Sequence, residues 1–515
     1  MDLVNSSLQS ISLLAGNGKY KEALEEIREC EKNNPGELTL KLNKAGLLVD
    51  IGFGLKDQKI VNEGLLVGKN NLTDRRLDPY KTSIHYNLAN GYLSIYGLTE
   101  SGTDIKAIPQ SQNLQKAKDH FRKALSNVSD LYLRKQLLVN YGNCLDTLGR
   151  GVESLYLYDE ALQLDKNFAM AIGNKAKALR SFADISGKYR GATYAVAYQA
   201  IKSIIDNQDL LDIGGQGAKQ SFEHELNYIE SRFKNKSDLT KVLKHSKHPV
   251  AHLSDFEKFY VDFCSNEKLF LNFHVHLNLG EASVTDPVFI SMITKIEDND
   301  TFYYFAKYIN QIKEDYAVAR LSLVQSQYKN SDINNISNRT TFVYSLDYSQ
   351  FNLYVGLLKA AFKDAYNVLD KIAVFINDYY KLGLPEDKIY FTTIWQKDGV
   401  MRNELLESKN ISLYALYDIY QDFKSNEYLK IQNIRNAATH RRLAIYDSTL
   451  TDWDTKDDKH NIGYETMLSE TIKLFKLTKA AIIYLINFVN LEEERKRPGK
   501  GKLIPEMLVD TSQFL

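Results

Sequence analysis

In the second half of the chain, apolar residues recur every three or four positions, the spacing of helices that bury one face. The longest such stripe runs through Phe351, Tyr354, Leu358, Ala361, Ala365, Leu369, Ile372 and Ile376. It predicts a core helix over residues 348–381, stopped at Gly383 with Pro385 just beyond. The same spacing predicts helices over 302–328, 413–423 and 466–490. A polar Asn- and Ser-rich loop is expected over 329–339, and a charged loop over 452–460. Between the last two helices, Leu429, Ile431, Ile434, Ala438 and Ile445 set a shorter stripe, with Asn426 placed to cap its start. Asp364, Asp370 and Lys371 on the core helix read as solvated charges or interhelix pairs rather than as acid–base groups.

The first half repeats a different pattern. After the Gly16-Asn17-Gly18 turn, Ala23, Ile27, Cys30 and Pro35 follow the small, bulky, small and proline spacing of the second helix of a tetratricopeptide repeat, or TPR. Tyr86 to Tyr92 reads as a first helix, and Ala117, Phe121 and Ala124 as its partner, separated by a loop insertion around Pro109. The cleanest copy runs Leu138, Gly142 and Leu145, then Ser154, Tyr158 and Ala161. A step of 34 residues from Gly142 reaches Ala176, flanked by Ile172 and Leu179, and Arg190 begins a degenerate partner helix. That period is the TPR length, and the small residues let paired helices approach closely. The expectation is an all-α protein: a TPR-like α-solenoid over residues 1–205, a connector over 206–296, a helical bundle over 297–494 and a basic tail over 495–515. Such an array binds a peptide or protein partner along its concave face, or serves only as a packing scaffold.

Composition narrows the function classes. A chain of 515 residues holds two or three domains with real cores. Its formal net charge is zero, so a nucleic-acid site has to be a local patch. Cys30, Cys144 and Cys264 lie far apart without a C-x-x-C pair, which is reduced cytosolic usage. The first fourteen residues lack a basic n-region, and the best apolar run, residues 480–489, is too short to span a bilayer. A cytoplasmic protein without a membrane segment is expected.

Two glycine clusters, residues 214–217 and 499–502, lack the strand and the Gly-Lys-Ser/Thr ending of a phosphate loop; the first reads as a turn between helices. His245, His248 and His252, with Cys264, His274 and His276 downstream, have ligand types that hold zinc. Pro249 interrupts the helical His spacing, and His274 and His276 fall on a short strand or extended turn, so surface and interdomain histidines are the expectation and no metal or cofactor is assigned. The remaining candidate is Arg435, Asn436 and His440 on the short stripe. Asn436 and His440, four apart, share a helical face; Arg435 lies about 100° round from Asn436 and about 140° from His440. One straight helix cannot aim both Arg435 and His440 at one atom unless it ends there or a second copy contributes. Lys430, Arg441 and Arg442 add local positive charge for RNA phosphates. Arg435 and His440 also fit a helix-terminus pair in a purely interacting bundle.

The Arg435-Asn436-x-x-x-His440 pattern on a late helix resembles the signature of HEPN domains, small helical bundles several of whose branches are metal-independent ribonucleases of toxin and phage-defence systems. The segment from Tyr348 through Asn377 looks like the core helix of a HEPN branch that carries an N-terminal TPR array, and the resemblance spans residues 297–494. It implies an endoribonuclease in which the ribose 2′-OH attacks and leaves a 2′,3′-cyclic phosphate. It also implies a homodimer through the HEPN domain, with Arg435, Asn436 and His440 catalytic. Some toxin branches carry a tyrosine two positions after the histidine, which a partner modifies; Arg442 stands there in this chain. Control then falls to the TPR array. The alternative is a non-catalytic TPR–HEPN adaptor.

Overall fold

The structure, a computed structural model, describes residues 2–183, 190–233, 235, 239, 241, 253–277, 280–290, 299–343, 346–447 and 460–496. The chain is all-α, an N-terminal solenoid followed by a helical bundle, and divides into two compact units, Met1–Ser246 and Lys247–Leu515.

In the first unit, helices α1 (Asp2–Gly16) and α2 (Tyr20–Asn33) pair, as do α3 (Leu38–Gly54) and α4 (Gln58–Thr73). A short α6 (Ala107–Gln110) sits between α5 (Lys81–Thr99) and its partner α7 (Gln112–Leu125). Next come α8 (Leu131–Thr147) with α9 (Gly151–Leu164) and α10 (Ala169–Phe182) with α11 (Arg190–Ile204), and α12 (Gln208–Ser231) covers the end. Each second helix also packs on the first helix of the following pair, which makes a continuous solenoid core. The repeat positions are the buried ones: Ala23, Ile27, Ala117, Phe121, Ala124, Ser154, Tyr158 and Ala161 are almost wholly inaccessible.

Close approach explains the small residues. A Cβ at Gly142 would lie 2.5 Å from the ring of Tyr158, whose hydroxyl donates to Asn143 Oδ1 at 2.8 Å. The ring is buried and tethered, so it cannot swing away. Gly142→Ala is therefore expected to destabilise the first unit by about 1–3 kcal/mol, read as a lower denaturation midpoint, whereas alanine in an open helix position would stabilise. The α3–α4 pair, invisible to the repeat reading, uses the same device: a Cβ at Gly64 would meet the Ala45 carbonyl oxygen at 2.8 Å. The 214–217 glycine cluster is, as expected, a turn between two helical segments, which together make up α12. Gly215 adopts φ 64°, ψ −174°, which sends the first part of α12 back toward the end of α1.

The second unit is built on a core helix, Leu353–Tyr380, packed against Asn299–Gln327 and the closing helix Tyr464–Arg495. Leu358, Ala361, Ala365, Leu369, Ile372 and Ile376 are fully buried along it. It starts later than its pattern predicts: Asn352 caps it by accepting from Val355 N at 3.0 Å, and Phe351 lies outside, half exposed. Its end follows the stop signal, with Lys381 and Gly383 left-handed. The expected loop over 329–339 contains a helix, Ser331–Ser337, because Asn330 caps it through Ile333 N. Two small sheets complete the unit: antiparallel β1 (Gln396–Lys397) with β2 (Val400–Met401), and parallel β3 (Ala444–Tyr446) with β4 (Asn461–Gly463).

Candidate active site

The helix that carries the Arg-Asn-x-x-x-His pattern spans Leu429–His440. Asn426 does not cap it; Asn426 is left-handed, and the helix opens after Tyr428 without a side-chain cap. Ile431, Ile434 and Ala437 form its buried stripe. Ile445, expected on that stripe, lies instead on β3, because the chain turns extended at Arg441 (φ −138°, ψ −164°). Leu429 is largely exposed and Ala438 half-buried, so the stripe is narrower than its pattern.

Arg435 leans toward the core helix. Its guanidinium sits 5.4 Å from the Tyr366 ring centroid, with Nη2 3.9 Å from Asp370 Oδ2, and Nη1 donates to Asn436 Oδ1 at 3.3 Å. Its Nε is buried without an acceptor among the described residues. Five N–H donors thus meet one modest hydrogen bond and one long ion pair, and a quarter of the side chain stays accessible. That leaves donor capacity for an anion.

Asp370 is shared, since its Oδ1 accepts from Phe391 N at 2.9 Å. Burial pushes its carboxyl up, only partly offset by that amide and by Arg435. Tyr366 is likewise pushed up to about 12 by burial. Asp370 and Lys371 do make interhelix pairs, to Arg435 and Asp315. That Tyr366 and Asp370 form the seat of Arg435 was not evident from sequence. Their four-residue spacing, which places both on one helical face, is the signal available.

Asn436 and His440 are both exposed, four residues apart, and His440 is the last residue of the helix. Its imidazole has no hydrogen-bond or ion-pair partner among the described residues, and the structure does not join it to Arg435 within one chain. Arg441 and Arg442 follow, exposed. Lys430, also exposed, lies on the first turn, roughly 16 Å of helix away from Arg441.

The segment after His440 is tied to the core helix by Lys359, whose Nζ donates to Leu443 O at 2.6 Å, and to its approach by Gln350 N, which donates to Ile445 O at 2.7 Å. Burial, then Lys363, lowers the Lys359 pKa. Lys359 therefore lies alongside the chain just past His440, with Lys363 one helical turn further on. They are cations that the reading of the motif alone missed.

The other candidates lie elsewhere. His245, His248 and His252 fall outside the described residues. His274 and His276 are buried on a single 3-10 turn, not on a strand, and the Ser283 hydroxyl donates to the His274 carbonyl at 2.6 Å. Cys264 is buried, its thiol pushed up to about 12 by desolvation. Among the described residues no cluster of three metal-type side chains occurs, and no helix is long and apolar enough to cross a membrane.

No curated protein and no solved structure matches the chain. Residues 296–492 match the family model described as LA2681-like HEPN, so the second unit carries a HEPN-family domain.

Proposed function

We propose that this protein is a metal-independent endoribonuclease whose HEPN domain acts as a homodimer, controlled by the helical array of residues 1–205. Arg435 neutralises charge building on the phosphoryl oxygens, and His440 moves a proton from the ribose 2′-OH or to the leaving 5′-oxygen. Asn436 orients the guanidinium through its amide. Arg441, Arg442 and Lys430 attract phosphates. Attack by the 2′-OH forms the new O–P bond as the P–O5′ bond breaks, leaving a 2′,3′-cyclic phosphate and a free 5′-hydroxyl.

The observation that carries this reading is the pairing of an under-satisfied guanidinium with an unpartnered, exposed imidazole on the motif helix of a HEPN-family domain. Because Arg435 faces the core helix while His440 stands at the helix end, a twofold dimer is the arrangement that lets one copy supply each group. A toxin or phage-defence setting in the cytoplasm belongs to the same proposal. The test is incubation of RNA with purified protein in chelator-containing buffer. Cleavage with cyclic-phosphate ends supports the reading; intact RNA with well-folded protein leaves a TPR–HEPN adaptor.

A further inference from the structure

The solenoid encloses a cavity of about 670 Å³ lined by α3, α5 and α8, with Ile213 reaching in from the first part of α12. At the bend of α12, a Cβ built on Gly215 would lie 3.8 Å from the Gly16 carbonyl oxygen, so this part of α12 lies beside the end of the first helix. The volume is that of a ligand pocket.

Its lining is chemically one-sided. Among the described residues that line it, Asp50 is the single ionisable acid, and lysine, arginine and histidine are absent. Around it stand the amides of Asn87, Asn90, Gln136 and Asn140 and the phenol of Tyr86. These polar groups are held in order: Asn140 Nδ2 donates to the Tyr86 hydroxyl at 2.8 Å and to Asn90 Oδ1 at 3.1 Å. Gly46 leaves room for Asn87, since a Cβ there would lie 2.9 Å from its Oδ1. Asp50 itself has no hydrogen bond or ion pair among the described residues. It is exposed where it opens onto the cavity, and the protein around it pushes its pKa up to about 6.

A carboxylate that opens into such a cavity with no counter-cation beside it is a fixed negative charge that favours a cationic ligand. An anionic ligand would be repelled, and a neutral one would leave the carboxylate unpaired. A guanidinium or ammonium pairs with it directly, and a guanidinium does so with two hydrogen bonds. The amide walls supply donors and acceptors at both sides, which suits the backbone of an extended peptide.

We propose that this cavity binds an organic cation, a guanidinium or primary ammonium group held by Asp50, with the neighbouring amides taking the polar groups beside it. The proposal rests on the array being a binding element and is independent of whether the second unit cleaves RNA.

The probes are a capped alanine pentapeptide with a central arginine, its norleucine counterpart, and free arginine amide. Each is titrated calorimetrically into the full-length protein and followed by thermal shift. The arginine peptide is expected to bind, and either the norleucine change or Asp50→Asn to weaken binding at least tenfold. With the Asp50 pKa raised to about 6, the carboxylate is charged above that pH, so binding of the arginine peptide is expected to weaken as pH falls below it.

Asn87→Ala separates the sources. Weaker binding of the peptide with unchanged binding of arginine amide marks a polypeptide ligand, and an equal effect on both marks a small free cation. Norleucine binding as well as arginine, or arginine-peptide binding that Asp50→Asn leaves unchanged, overturns the proposal. Binding that leaves RNA cleavage unchanged removes the control role of the array while the cation site stands.

Discussion

Replacing His440 by alanine is expected to reduce RNA cleavage by about 10²–10⁴-fold, the usual contribution of a positioned general acid or base, while the protein keeps its fold. His440 is exposed at the end of its helix and supports no buried partner among the described residues, and alanine is a better helix former. Circular dichroism and the melting temperature should therefore match wild type. Arg435→Ala should abolish cleavage as well but cost some stability, because it strips the Tyr366 face and leaves Asp370 with only the Phe391 amide. Mixing the two variants reads the geometry. If one copy supplies the guanidinium and its mate the imidazole, mixed dimers hold one intact pair and regain activity. If both groups act within one chain, every pair stays broken and mixing restores nothing. Cleavage by the His440→Ala protein at the wild-type rate would remove the imidazole from the chemistry altogether.

How much of this was legible in the chain follows from how local each feature is. Ala23, Ile27 and Cys30, or Leu358, Ala361 and Ala365, announce their burial because helical periodicity and burial share one cause within a few residues. Arg435, Asn436 and His440 are legible for the same reason, since their spacing alone fixes their relative directions on a helix. The seat of Arg435 is not, because Tyr366 and Asp370 stand some 65–70 positions earlier and meet it only through packing of two helices. Ile445 was misplaced because an apolar residue at helical spacing says nothing about where the backbone leaves the helix; the extended Arg441 decides that. The short helix at Ser331–Ser337 was missed since Asn and Ser favour loops and caps alike, and only the Asn330 hydrogen bond to Ile333 separates the two. The cavity around Asp50 is the extreme case: its walls come from four helices far apart in the sequence.

Removing Arg320 is expected to destabilise the second unit by about 3–5 kcal/mol, the cost of stranding a buried charge. Arg320 lies on the helix Asn299–Gln327 and is almost wholly buried. Its guanidinium contacts both oxygens of Asp286, at 2.6 and 3.1 Å, and also donates to the Leu269 carbonyl at 3.1 Å and the Tyr260 hydroxyl at 2.7 Å. The rings of Phe270, Tyr316 and Tyr260 surround it. Asp286 in turn accepts from Leu271 N at 2.6 Å, so the ion pair fastens the segment around residues 269–290 to the helix that braces the core helix, together with Lys313, which donates to the Asp286 and Val288 carbonyls, and Tyr316, which donates to the Leu269 carbonyl. Burial by itself would raise the Asp286 carboxyl, but the Arg320 guanidinium outweighs it and holds the pKa below the usual value. A depressed carboxylate contributes stability that is full above the unfolded pKa, about 3.9, and is lost as pH falls through the folded one. Wild type should therefore lose stability more steeply below pH about 4 than Asp286→Asn does. The double variant Arg320→Met/Asp286→Leu should be far less damaged than Arg320→Met alone, because it removes the stranded charge along with its partner. Melting curves of the three proteins decide it. Equal losses for the single and double variants would mean that the carbonyl and phenol bonds of Arg320, rather than the ion pair, hold this segment in place.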